Sequence, residues 1–166
     1  MSRLTSLLLL FPGLAFAQGE DFRLPSELED FPTGNGAGVV LGEPTGLSLV
    51  WREDAQNAIV GALAWSLPND SLHLHVDYQV NLISLDDPNA PEVAFPLYTG
   101  VGLRMRLGTD KSSADPLLGI RLPIGIAVLP PAFPMDAFIE IVPVMGLLPE
   151  TSITLDGALG VRYYFL

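Results

Sequence analysis

The sequence contains no cysteine. That absence excludes disulfide bonds, thiol catalysis, cysteine-based zinc sites and a lipidated N-terminal cysteine. Lys111 is the only lysine, and charged residues make up 16% of the 166 residues, against about 25% in an ordinary soluble domain. Lys and Arg together number 8 against 19 Asp and Glu, so the formal net charge is −11. This balance argues against nucleic-acid binding, which needs a basic patch.

Long apolar runs are also missing. After the N-terminal segment, Pro, Gly or a charged residue interrupts every run well before the roughly 18 residues that suggest a transmembrane helix. Apolar residues are nevertheless abundant at 49%, with 16 glycines and 15 prolines. The apolar content excludes disorder, and the glycines and prolines favour many short strands joined by turns. If the mature chain enters a membrane, it must form a closed barrel, because only helices and closed barrels satisfy every backbone polar group in lipid.

The first 17 residues have the composition of a secretory signal. Arg3 supplies a positive charge, Leu4–Phe16 is an apolar core shorter than a membrane span, and Ala15-Phe16-Ala17 is a small-x-small cleavage site. We expect cleavage before Gln18. Residues 18–35 are acidic and turn-rich, and we interpret them as an N-terminal tail or cap outside the main fold. Residues 36–166 are predicted to form that fold.

From residue 36 onward, apolar and polar residues alternate with the period of two that is typical of β-strands. Eight segments separated by turn residues have this pattern: Gly36–Gly42, Gly46–Arg52, Asn57–Leu67, Leu72–Ser84, Phe95–Gly108, Leu117–Leu129, Asp136–Leu148 and Ser152–Leu166. Pro123 and Pro143 fall inside predicted strands, where each removes one ladder donor, so we expect a bulge at each.

Two architectures share this alternation. A soluble sandwich or lipocalin-like barrel turns its apolar face inward, whereas an outer-membrane barrel turns it outward to lipid. Segments four to eight are longer than the roughly 9–11 residues that a tilted membrane strand needs. They are also longer than the commonest strand length in soluble proteins, about 5–6 residues. All five arginines of the strands lie on the polar face, which is typical of enclosed ion pairs. We therefore predict an all-β fold, an eight-stranded antiparallel up-and-down transmembrane β-barrel whose lumen is filled by side chains.

The polar face is predicted to form a lumenal network of charged and imidazole side chains. Its members are His73, His75, Asp77, Arg104, Arg106, Arg121, Glu140, Asp156 and Arg162. Glycines on the same face, such as Gly102, Gly125 and Gly160, are expected to make room for the arginines. Aromatic residues near strand ends on the apolar face are typical of a lipid-facing girdle. These are Trp51, Trp65, Phe138, Tyr163 and Phe165.

Both histidines of the chain lie in the stretch His73-x-His75-x-Asp77. Alternate residues of a strand share a face about 6.5–7 Å apart, so these side chains could ligate one metal or orient a general base. We prefer a network with Arg104 and Arg106 of the next strand, without metal or other cofactor, because no third histidine exists. A lumenal hydrolase would need a nucleophile beside one of the histidines. No nucleophile-elbow, P-loop or zinc-protease motif occurs, so we do not expect an enzyme.

With these features, the chain resembles small bacterial outer-membrane β-barrels of the eight-stranded, OmpA/OmpX-like size. Such proteins typically end in an aromatic residue recognised by the barrel assembly machinery, and this chain ends Arg162-Tyr163-Tyr164-Phe165-Leu166, with the phenylalanine penultimate. Gly38–Ser48 also resembles the first hairpin of an uncharacterised family of such barrels.

The resemblance implies a porin-like monomer in the outer membrane of a Gram-negative bacterium, with a structural or interaction role. Its implied partners are membrane lipid and the barrel assembly machinery. From the residues alone, a secreted soluble β-barrel that binds a small apolar ligand is the alternative.

Overall fold

A computed structural model of the chain describes residues 22–24, 31–66, 71–85, 92–107 and 117–165. The predicted signal segment 1–17, Lys111 and Leu166 lie outside these ranges. Within them, no helix is long and apolar enough to cross a membrane.

The described residues form ten strands, which we number in chain order. They are β1 (Phe22–Arg23), β2 (Gly34–Glu43), β3 (Thr45–Arg52), β4 (Asn57–Ser66), β5 (Ser71–Leu85), β6 (Phe95–Leu107), β7 (Leu118–Arg121), β8 (Ile124–Val128), β9 (Met135–Leu148) and β10 (Ser152–Phe165). Seven of the eight predicted segments correspond to single strands, with ends shifted by one or two residues. The sixth is divided into β7 and β8.

The strands close into an antiparallel ring. Consecutive strands from β2 to β6 pair with one another, β7 and β8 share one position between β6 and β9, and β9 pairs with β10. The ring closes where β10 pairs with β2, from Gly157↔Glu43 to Phe165↔Asn35. The predicted all-β, up-and-down ring of eight strands is therefore confirmed at this level. We call the end with the first residue of β2 the lower end and the opposite one the upper end.

The in-strand prolines do not bulge the wall. The break between β7 and β8 is flanked by two pairs with β6, Gly102↔Arg121 above it and Thr99↔Ile124 below it. Both strands advance by three positions between these pairs, so no extra residue is inserted. The expectation of a bulge at Pro123 and Pro143 is wrong, because the register is unshifted past both prolines, and each proline carbonyl still accepts a backbone hydrogen bond. The Pro123 oxygen accepts from the backbone nitrogen of Gly100 at 2.9 Å, and the Pro143 oxygen accepts from that of Leu122 at 3.0 Å.

The register shifts lie elsewhere, between Asn81 and Ile83 on β5 and between Leu118 and Gly119 on β7. The first of these occurs just below the last pair that β5 makes with β4, Asn57↔Val80. Beyond this pair β5 has no residue of β4 beside it, so β5 can curve differently there.

The described part of the N-terminal segment contacts the lower end of the barrel at two points. The strand β1 pairs with the end of β5, Phe22 opposite Leu85 and Arg23 opposite Ser84. Further along, Phe31 packs against a buried cluster that includes Tyr98 and Phe138. The described residues of the segment thus lie against both the wall and the interior at this end.

The turn between β3 and β4 also lies at the lower end. Asp54 Oδ1 accepts from the backbone nitrogens of Gln56 at 2.7 Å and Asn57 at 2.6 Å. Slight burial acts to raise the pKa of Asp54, but these bonds and those from the Asn57 side chain outweigh it and hold the pKa below its usual range. The turn is therefore built around an ionised carboxylate.

The two faces of the wall differ completely in charge. Every charged side chain that the structure describes in β2–β10 faces the interior, and each is buried except Asp156, which is 12% exposed. The outer face carries leucine, isoleucine, valine and methionine, with Leu49 62% exposed, Leu103 59% and Ile141 57%. The alternation predicted from the sequence therefore places the polar face inside.

A charged network inside the barrel

The lower group of the interior is built around Asp136, which is fully buried. Arg162 donates to both of its oxygens, at 2.9 and 3.0 Å, and Tyr164 Oη donates to Oδ2 at 2.6 Å. Arg52 donates to the Tyr164 hydroxyl at 3.0 Å and lies 3.6 Å from Asp136 Oδ2. One carboxylate from β9 thus joins side chains of β3 and β10.

Aromatic rings cover the two arginines of this group. The Arg52 guanidinium lies 4.7 Å from the centre of the Phe31 ring, and that of Arg162 lies 4.4 Å from the Phe138 ring. Guanidinium groups over aromatic faces are stabilised by the ring quadrupole. Phe31 and Phe138 therefore complete the lower group as apolar and electrostatic partners.

The middle group is built around Arg121. Its Nε lies 3.1 Å from Asp77 Oδ1, its Nη2 lies 3.4 Å from Glu140 Oε1, and its Nη1 lies 3.0 Å from His75 Nδ1. Since a guanidinium only donates, His75 Nδ1 is the acceptor, and a neutral ring carries its hydrogen on Nε2. Tyr98 Oη donates to the other oxygen of Glu140 at 3.0 Å.

The upper group contains Arg104, Arg106, His73 and Asp156. Arg104 Nη1 donates to Asp156 Oδ2 across the barrel at 2.5 Å. His73 lies directly opposite Arg106 in the β5–β6 register, and its Nε2 is 2.9 Å from Ser71 Oγ. Arg104 and His73 are each 1% exposed.

The structure places all nine residues of the predicted network on the interior face, in the middle group, the upper group or, for Arg162, the lower group. The partners differ from those expected. His75 and Asp77 contact Arg121, two strands away along the ring, and not a guanidinium of neighbouring β6. Among the described residues, no group of three or more His, Asp or Glu is arranged to hold a metal ion.

Four of the five predicted girdle residues face outward, with exposed fractions near one half: Trp51, Trp65, Tyr163 and Phe165. The assignment of Phe138 to this set is wrong, because Phe138 is 7% exposed and packs inside. Its position explains the difference. Phe138 lies two residues from both Asp136 and Glu140, and alternate residues of a strand share a face.

The predicted network lacks two interior tyrosines that the period of two also identifies. Tyr98 shares the face of Gly100, Gly102 and Arg104, and Tyr164 lies between the outward-facing Tyr163 and Phe165. Each hydroxyl bonds a buried carboxylate.

The glycines make room for side chains other than arginine. A Cβ on Gly102 would lie 1.9 Å from Asp77 Oδ1, and one on Gly125 would lie 2.5 Å from the Tyr98 hydroxyl. The expectation that these positions accommodate arginines is therefore wrong.

A small cavity of about 20 Å³ lies beside the middle group, and its lining also includes Arg162 of the lower group and Asp156 of the upper group. Its lining combines small side chains, including Ser48, Ala62 and Ala158, with the carboxylates of Glu140 and Asp156. A cavity needs about 10–15 Å³ to hold one water molecule, so this space accommodates a single water between polar partners.

Comparison of the chain with protein-family models, with curated proteins and with solved structures finds no match. The interpretation of the site therefore rests on its geometry and chemistry.

Proposed function

We propose that this protein is a monomeric outer-membrane β-barrel of a Gram-negative bacterium, exported by a cleavable signal, with a structural or interaction role. The observation that carries the proposal is the separation of charge: the described charged side chains of β2–β10 face inward, and the exposed wall is apolar. In water this wall would form an apolar patch far beyond the few hundred Å² of ordinary monomers. In lipid it matches its surroundings.

Strand length supports the same proposal. The strands β5, β6, β9 and β10 contain 13 to 15 residues, more than the roughly 9–11 that a tilted strand needs to cross a bilayer. The wall is also closed, as lipid requires of any spanning sheet.

The filled interior favours a structural or interaction role over passive transport. Five buried arginines occupy the interior together with Phe138, Tyr98 and Tyr164. The cavity beside them accommodates one water. An eight-stranded barrel is only wide enough for such side chains. A soluble carrier of an apolar ligand is disfavoured because its interior would be apolar, and this one holds ion pairs.

Subcellular fractionation and gel mobility test the proposal. We expect the mature protein to begin at Gln18, to sediment with outer membranes, to require detergent for extraction, and to change its gel mobility on boiling. Lipid and the barrel assembly machinery are its expected partners. Recovery as a soluble periplasmic protein in the absence of detergent would contradict the membrane assignment.

A further inference from the structure

A serine and a histidine form a hydrogen-bonded pair at the upper end of the barrel. Ser71 is the first residue of β5, and its Oγ lies 2.9 Å from His73 Nε2. The two residues alternate along one strand, so both side chains face the interior, and each is 1% exposed. In the tautomer that carries hydrogen on Nδ1, Nε2 accepts the hydroxyl hydrogen. This is the arrangement of a nucleophile and its general base.

Two donors lie next to the pair. Ser66, the last residue of β4, is directly opposite Ser71 in the β4–β5 register. It is fully buried, and its Oγ has no hydrogen-bond partner among the residues that the structure describes. Arg106 of β6 is directly opposite His73 on the other side. A buried polar atom without a partner requires an explanation, and a hydroxyl beside a nucleophile can stabilise an oxyanion.

The other histidine has no comparable arrangement. His75 Nδ1 accepts from Arg121 at 3.0 Å, and its Nε2 lies 3.7 Å from Asp77 Oδ2. Both ring nitrogens thus face charged groups of the network, and none of the hydrogen bonds described for His75 involves a hydroxyl. The serine pairing distinguishes His73.

We propose that Ser71, His73, Ser66 and Arg106, at the upper end of the barrel, form an acyl-transfer site that takes carboxylic esters. Ser71 Oγ attacks the carbonyl carbon while its proton passes to His73 Nε2. Ser66 and Arg106 donate hydrogen bonds to the oxyanion. The alcohol leaves with the proton from His73, and water, activated by the same imidazole, hydrolyses the acyl-serine and restores the hydroxyl.

The test is labelling of the full-length protein with a small alkyl fluorophosphonate, which serine attacks with loss of fluoride. We expect one adduct, located on Ser71 by mass spectrometry of peptides from the folded protein. Ser71→Ala and His73→Gln should lose the labelling, and Ser66→Ala should slow it by about 10²-fold or more. Ser84→Ala should label like the natural protein, because Ser84 is a buried serine of the same strand at the lower end.

Folding of each variant is read from its far-ultraviolet circular dichroism, which should match that of the natural protein, and the adduct on the natural protein needs no variant at all. Absence of an adduct on Ser71 in folded protein would overturn the site, as would equal labelling of the His73→Gln variant. The proposal does not depend on the membrane assignment. An unlabelled protein in the membrane fraction refutes only this site, and a labelled protein in the soluble fraction refutes only the membrane proposal.

Discussion

At the residue scale, the Asp136 carboxylate joins the most side chains in the lower group. It accepts from Arg162 and Tyr164, and Arg52 lies 3.6 Å away. Asp136→Ala would leave two buried guanidinium groups without their carboxylate. Removing one partner of a buried ion pair costs on the order of 3–5 kcal/mol, so we expect a loss of that size in the free energy of unfolding. Urea unfolding in detergent, followed by gel mobility, measures it.

The matched control for this substitution is Glu150→Ala, in the exposed turn between β9 and β10. Surface changes of this kind usually fall within about 0.5 kcal/mol of the natural protein. Equal stability of the two variants would mean that Asp136 is not a buried partner of the arginines.

The sequence predicted which residues face the interior better than it predicted their partners. The period of two places His75, Arg104 and Arg121 each on the polar face of its own strand, because the alternation is a local property of a strand. Their partners depend on the curvature and register of the closed ring, which bring Arg121 to His75 and Arg104 to Asp156. No local pattern contains that information.

At the element scale, β10 contains two glycines that face opposite sides of the wall. A Cβ on Gly160 would lie 2.6 Å from the Phe138 ring and 2.6 Å from the Val39 carbonyl oxygen. One on Gly157 would meet nothing within 4 Å. Overpacking of this kind costs about 1–3 kcal/mol, so Gly160→Ala should lower the free energy of unfolding by that amount. Gly157→Ala should leave it unchanged or slightly raised, since alanine restricts the unfolded chain.

Urea unfolding of the two variants side by side measures the difference. A Gly160→Ala variant as stable as Gly157→Ala would contradict the close packing of Phe138 against β10.

Strand positions followed from the alternation and the turn residues to within one or two residues, but local irregularities did not. Pro123 removes only a donor, so the chain stays in register through the break. On β5 the register shift between Asn81 and Ile83 has no glycine or proline beside it, and on β6 Pro96 lies one pair below, opposite Ser84. The shift coincides with the point where β5 extends beyond the end of β4, and that point is a property of the assembled sheet.

At the scale of the whole molecule, the filled interior predicts a barrel that does not conduct. The three groups place Arg52, Arg162, Arg121 and Arg104 across the interior, each paired with a carboxylate. Planar-bilayer recording of the purified protein should therefore show little or no steady conductance. A stable, ion-selective open pore would refute the filled interior and change the proposed role to passive transport.

The central claim is that the outer wall contacts lipid, and the two tryptophans test it most directly. Trp51 and Trp65 are the only tryptophans of the chain, face outward with 49% and 45% exposed, and lie at the lower end of β3 and the upper end of β4. The measurement is tryptophan fluorescence in phosphatidylcholine vesicles brominated at defined depths on the acyl chains, with Trp51→Phe and Trp65→Phe separating the two signals. We expect bromine to quench both tryptophans, most strongly when it lies near the headgroups. Fluorescence that no brominated lipid changes would contradict the claim.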